Sequence, residues 1–377
     1  MKLRNSILLA CFLAALFPAL CHADWQFSTH ELCNLGSWGC LGQLSKPAID
    51  AQDRPHLVWI SENGEARHLY FNGSTWKDEL IEKPGHGAGT GDIAVDSTGR
   101  IHAVYSAAGS PNTLKYALFD GTNWKMSEIA QLQTLATFPN NPISIALDKY
   151  QRPHISYVDG NSGVKYLRFN GKTWMSEDIP FSGTPYRDST TAISVCSNGA
   201  PNVVYCATPD GTTHSLYWAR KMAGTWRTVK VGNGKNPSMA LDSSSRPHIL
   251  FQSDDISKNP IYFRWSGTRW VTENVLTKIR LQGWAEDRPG LVLTPAGKAE
   301  IFFTFSEVQY GNPRDVQATF DGTTWGSAPD YDHFLLDSYY YPSHPRPALG
   351  KTKLHVLFNG SDNTTNPEYV MWGTTDF

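Results

Sequence analysis

The chain has 377 residues, 40% of them hydrophobic and 12% aromatic, with only 18% charged and a formal net charge of −2. It lacks the basic footprint that nucleic-acid binding needs, so that class of partner is excluded. This length suits two ordinary domains or one large all-β domain.

Residues 1–23 read as a secretory signal peptide. Lys2 and Arg4 form a short basic region, Ile7 to Leu20 an apolar core, and Cys21-His22-Ala23 a small-residue end. The core is too short for a comfortable membrane span, and no later apolar run is long enough. A secreted or periplasmic protein is therefore expected, with residues 24–377 as the mature domain. In an oxidising compartment Cys33 and Cys40, close together in a Gly-rich segment, are expected to form a local disulfide.

A repeat organises the mature chain. Ile93-Ala-Val-Asp-Ser-Thr-Gly-Arg-Ile-His102-Ala-Val-Tyr105 recurs from Ile145 to Tyr157 and again from Met239 to Phe251. Most copies continue through an aromatic run to Gly-x-x-Trp, ending at Trp76, Trp124, Trp174, Trp270 and Trp325, with a shorter version at Gly224/Trp226. Copies begin near residues 46, 91, 141, 190, 236, 288 and 346 and are numbered one to seven below. Their spacing of roughly fifty residues suits propeller blades. Within a copy the reading is four short strands: Ala-Val-Asp, then His-x-Val-x-Tyr, then a Leu-Lys-Tyr-Ala-Leu-Phe type, then a strand starting at Trp. No segment shows sustained helical periodicity.

On the first strand, small residues (Ala48, Ala94, Ala146, Ser194, Ala240, Ala348) stand two before the Asp position, with large ones between them. Period two puts them on opposite faces, and the small face is expected to look at a central channel. Repeat seven stops after its third strand, while the mature N-terminus from Trp25 to Leu32 resembles the fourth strands. The N-terminal strand is therefore expected to complete the last blade. That closes an all-β, seven-bladed β-propeller of four-stranded antiparallel blades and removes two sheet edges.

The hairpin Phe320-Asp-Gly-Thr-Thr-Trp325 and its relatives resemble a degenerate Asp-box, the turn that marks sialidase-like and BNR-repeat propellers. Phe71, Phe119, Phe169 and Phe320 stand where that family has the Asp of the box. The resemblance implies a propeller fold, and chemistry does not transfer with it. Lys46-Pro47 lies near the place of the family's early arginine, and no Tyr/Glu pair matches.

His56, His102, His154 and His248 each follow an Asp by six residues, and repeats four and six lose both partners together. Cys196 with Asn202 and Thr294 with Glu300 stand in their place; His355 alone lacks its Asp. Mutual satisfaction across a hairpin explains this better than catalysis, and no metal site or cofactor is expected. Cys196 and Cys206 read as buried thiols, out of register for a bridge.

Function is expected on the face carrying the two-three and four-one loops, where the copies diverge. Those loops bring Tyr186, Arg187, Trp284, Tyr339, Tyr340 and His344, and aromatic rings beside polar groups suit sugars. Lys46, Arg288 and Arg346 share one strand parity at that end and can form a basic rim for a carboxylate or sulfate, unless Asp92, Glu286 or Asp287 neutralise them. Three functions follow: a lectin-like glycan binder, favoured here; an enzyme on acidic sugars, by sialidase-like hydrolysis or uronate elimination; and a protein-interaction platform. Oligomeric state is left open.

Overall fold

The computed structural model describes residues 25–33, 43–61, 63–84, 87–133, 142–160, 163–180, 190–255, 257–285, 288–307, 313–326, 334–336, 343–361 and 368–376. The expected signal peptide and Cys40, and with it the expected disulfide, lie outside them. The fold is all-β, and its recurring unit is a sheet of four antiparallel strands. In repeat three, for example, Ile143–Leu147, Pro153–Val158, Val164–Phe169 and Trp174–Asp178 pair in that order.

Departures from this plan follow from local sequence. In repeats one and six the first strand is split in two, and both pieces pair with the same second strand. The gaps hold Lys46-Pro47 and Arg288-Pro289, where proline cannot donate to the ladder. Between repeats four and five one 17-residue strand, Thr225–Leu241, serves both. Its first half pairs with Ser215–Met222 and its second with Pro247–Ser253. Gln26–Cys33 pairs antiparallel with Glu368–Asp376, placing Glu31 opposite Tyr369. Gln26–Cys33 thus supplies the outer strand of the sheet that ends the chain.

The Gly-x-x-Trp tryptophans join one repeat to the previous one, as their burial half inside a sheet interface requires. Trp124 meets His68 edge-on at 5.5 Å between ring centroids, Trp174 meets Tyr116 at 5.0 Å, and Trp226 meets Tyr166 at 5.3 Å. Trp270 on Trp218, Trp325 on Tyr262 and Trp76 on Trp372 continue the series. Trp25 repeats it from the N-terminal strand, 6.1 Å from Phe302 and donating to Gln317 Oε1 at 3.1 Å.

One expectation needs correction. The small face of the first strand is no channel lining set apart from the packing. Ala48 packs with Ile93, Ile101 and Ala103 of the next repeat, and Ala94 and Ala146 do likewise one and two repeats on. The small residue also lies directly opposite the histidine (Ala94↔His102, Ala146↔His154), so its size makes room for an imidazole. A helix also occurs: Val275–Ile279, capped by Asn274, whose side chain accepts from Thr277 N, buries Val275, Leu276 and Ile279. One turn is too short to announce itself by period.

Candidate functional site

Four residues before the Asp position the repeats carry Lys46, Asp92, Ser144, Ala192, Ser238, Gly290 and Arg346. All but Ala192 line a single cavity of about 270 Å³, and each repeat contributes to its wall. On one side a ladder links neighbours. Asp92 Oδ2 accepts from Ile145 N of the next repeat at 3.0 Å, Ser144 Oγ from Ile193 N at 3.4 Å, and Ser238 Oγ from Leu291 N at 3.1 Å. On the other side the ladder is absent by composition. Gly290 offers no acceptor and Pro347 opposite it no N–H, and a Cβ on Gly290 would come 2.1 Å from Pro347 Cδ.

The basic residues sit on that second side. Lys46, Arg288 and Arg346 are half-buried and line the cavity together, joined by Asn236 and by Thr90, Thr190 and Thr191, whose own hydroxyl is bonded to Ser156 and Val204 O. Arg288 and Arg346 also hold contacts of their own within the protein. Burial lowers the Lys46 pKa, and Asp92 opposes that shift. Burial raises Asp92 to about 6 against the pull of Lys46, the Ile145 and Ile93 amides and the Ser144 hydroxyl. Lys46 and Asp92 therefore act on each other's charge, with burial the larger effect on both. Glu286 and Asp287 lie outside the described residues.

The loop residues fare differently. Tyr186, Arg187, Tyr339 and Tyr340 lie outside the described residues. His344 belongs to the Ser343–Leu349 strand, its side chain outside the description. Trp284 is half-buried in Gly283–Ala285 opposite Ser306 and is not part of the cavity wall. Sequence reasoning passed over Asp92 except as a possible neutraliser, although it shares the strand position of Lys46 and Arg346.

The repeated histidines are structural. Asp96 Oδ2 lies 3.3 Å from His102 Nε2 and Asp148 Oδ2 3.5 Å from His154 Nε2, while the Nδ1 atoms meet Tyr116 and Tyr166 hydroxyls at 2.7 and 2.6 Å. Burial lowers the pKa of both histidines against the pull of their aspartates. His355 is served by a neighbour. Asp53, from the first turn of repeat one, lies 3.7 Å from its Nε2 and accepts from Lys351 N and Thr352 Oγ1. Gly350, standing at the Asp position, makes the space: a Cβ there would lie 2.0 Å from Asp53 Oδ1. In repeat four Asn202 Nδ2 donates to the free, buried Cys196 Sγ at 3.1 Å. Among the described residues no group of three or more His, Cys, Asp or Glu is arranged to hold a metal ion.

No protein-family model matches this chain, and no curated protein matches it by sequence. Solved structures do. A polysaccharide lyase, an ulvan lyase bound to a GlcA(1-4)Rha3S repeat, superposes with a TM-score of 0.59 at 13% identity, covering 89% of this chain and 94% of its own. A protein of unknown function from Dyadobacter fermentans gives 0.53 at 11%, covering 94% and 100%. A Trypanosoma rangeli sialidase in complex with sialic acid gives 0.49 at 14%, covering 92% and 58%. At such identities the likeness bears on fold alone, and the fold is of the β-propeller type. Among the described residues no helix is long and apolar enough to cross a membrane.

Proposed function

We propose that residues 24–377 form one seven-bladed β-propeller, exported by cleavage of residues 1–23 and fastened near its start by a Cys33–Cys40 bridge, and that it binds acidic glycans in the axial cavity. Seven repeats, seven tryptophan contacts between successive repeats and the pairing of Gln26–Cys33 with the last strand support the architecture. One observation carries the function. Lys46, Arg288 and Arg346 share the wall of a single cavity that Thr90, Ser144, Thr190 and Ser238 also line. Cations suit a uronate carboxylate or sulfate ester, and hydroxyls suit ring oxygens and hydroxyls of the same sugar. Tyr186, Arg187, Trp284, Tyr339, Tyr340 and His344 belong to this proposal as loop residues that would extend the site outward.

A glycan array followed by titration with oligouronates tests it. Binding should weaken at least about tenfold in Arg346→Ala or Arg288→Ala, the cost of one charge-assisted contact. An array without a single acidic hit ends this reading.

A second reading, elimination on a uronate, is favoured by Asp92, whose carboxyl at about 6 stands in the range of a working proton acceptor. The cations would offset the charge built up when the proton next to the carboxylate leaves. Incubation with polyuronates, following absorbance of the unsaturated product, distinguishes the two. Turnover lost in Asp92→Asn with binding kept supports the enzyme; binding with no turnover supports the lectin.

A further inference from the structure

The opposite end of repeat four departs from its neighbours in a way the axial cavity does not explain. Its first strand, Thr191–Val195, runs from the cavity wall to the turn at 196–200. In repeats one, two, three and five the residue four after the Asp position is an arginine that bonds the aspartate: Arg54, Arg100, Arg152 and Arg246. Repeat four has Cys196 and Ala200 instead, so neither the acid nor the guanidinium is there. A groove of about 520 Å³ occupies this end, lined by the 198–201 turn, the 222–224 hairpin, Tyr166, Arg168 and Arg220.

Arg168 and Arg220 hold equivalent places on adjacent third strands, opposite His154 and Asn202. In repeat five the matching Arg264 is occupied, 3.6 Å from Glu273 and stacked at 4.5 Å over the Phe320 ring. Arg168 has no such ion pair: Glu177 holds Lys221 on both oxygens at 2.5 Å and the Trp226 indole at 3.2 Å, whereas Lys278 and the Trp325 indole leave Glu273 Oε2 to Arg264. Arg220 never has one, because Val229 stands at the position of Glu177 and Glu273. The Nε–H groups of all three arginines are buried without a hydrogen-bond acceptor, so what Arg168 and Arg220 lack is the carboxylate and the aromatic ring that Arg264 has. A buried donor in that condition costs stability unless water or a ligand supplies the acceptor.

We infer that this groove is a second anion site, taking a sulfate or phosphate ester group between the guanidiniums of Arg168 and Arg220. Two forks from two strands match a tetrahedral oxyanion, which offers an oxygen edge to each; a carboxylate has one such edge. Repeat four keeps its turn closed by other means, Ala200 N donating to Asn198 Oδ1 at 3.0 Å. The arginines are therefore not needed to hold the turn.

Calorimetric titration with inorganic sulfate at constant ionic strength, on the whole protein, tests this. The Arg288→Gln/Arg346→Gln variant, altered only in the axial cavity, should keep a saturable sulfate site. In Arg168→Gln/Arg220→Gln that site should weaken at least about tenfold. Cys196→Asp/Ala200→Arg, which rebuilds the aspartate and arginine of the other repeats over the groove, should block it without touching either arginine. Inorganic phosphate should compete and acetate should not. Sulfate binding unchanged by the groove variants, absent from the axial variant, or matched by acetate would overturn the inference. The axial proposal is read separately through oligouronate binding, so either can fail alone.

Discussion

Repeats three and four sit side by side and solve one problem in two ways. At the inner turn of repeat three Asp148 accepts from Tyr150 N, Arg152 N and Arg152 Nε at 2.8, 3.0 and 2.8 Å, and it faces His154. Repeat four replaces acid, arginine and histidine with Cys196, Ala200 and Asn202, whose side-chain contacts are Asn202 Nδ2 donating to Cys196 Sγ at 3.1 Å and to Ala200 O at 3.3 Å. A buried charge demands a full set of partners, and in repeats four and six the acid, arginine and histidine of this lock are all replaced together. Where it is dropped, the face of the sheet is left open to something else.

The largest test breaks the intact lock. Asp148→Ala strands two amides, a guanidinium and an imidazole, and should cost about 3 kcal/mol in chemical denaturation. Cys196→Ala at the matching place should cost about 1 kcal/mol, a trimmed sulfur and little more. Equal losses would refute the contrast.

Repeat seven sharpens it, because its histidine borrows an acid from repeat one. Gly350→Ala should expel the Asp53 carboxylate and destabilise by about 2 kcal/mol. Placing the acid back in its own repeat, with Asp53→Gly and Gly350→Asp together, should recover most of that. If the double variant is as weak as the single one, the borrowed contact is incidental.

Acid titration separates the repeats by sign. For Asp148 burial pushes the pKa up, but the Arg152 guanidinium and the Arg152 and Tyr150 amides outweigh it, and the net shift is downward. Its contribution is present above the ordinary carboxylate value and lost as pH falls. Repeat six holds the reverse case. Asp315, fully buried with only Thr304 donating to it at 2.8 Å, is pushed by burial up to about 7. Its contribution is present below the ordinary value and lost as pH rises through about 7. Asp315→Asn should therefore flatten the fall in Tm between about pH 4 and pH 8. A slope unchanged by the substitution would remove Asp315 as its source.

The smallest effect belongs to the axial ladder. Ser238→Ala leaves Leu291 N without its acceptor and should cost about 1 kcal/mol, measured by denaturant midpoint.

Much of the fold was legible in the chain itself. Strand order, the tryptophan contacts, the structural role of the Asp–His pairs and the latch of Trp25 to Leu32 all rest on period two, turn residues and self-similarity. Those signals link residues within one repeat, or the same position in successive repeats, and the pairing of Glu31 with Tyr369 follows from them. The basic parity of Lys46, Arg288 and Arg346 was legible for the same reason. What only the tertiary structure decided is where unlike positions from different repeats meet. Asp53 reaching His355, Asp92 and Lys46 sharing one cavity, Gly290 yielding to Pro347 and Arg168 and Arg220 meeting one groove are such meetings. No spacing along the chain encodes them, because each depends on a departure from the repeat being answered by a different departure in the neighbour packed against it.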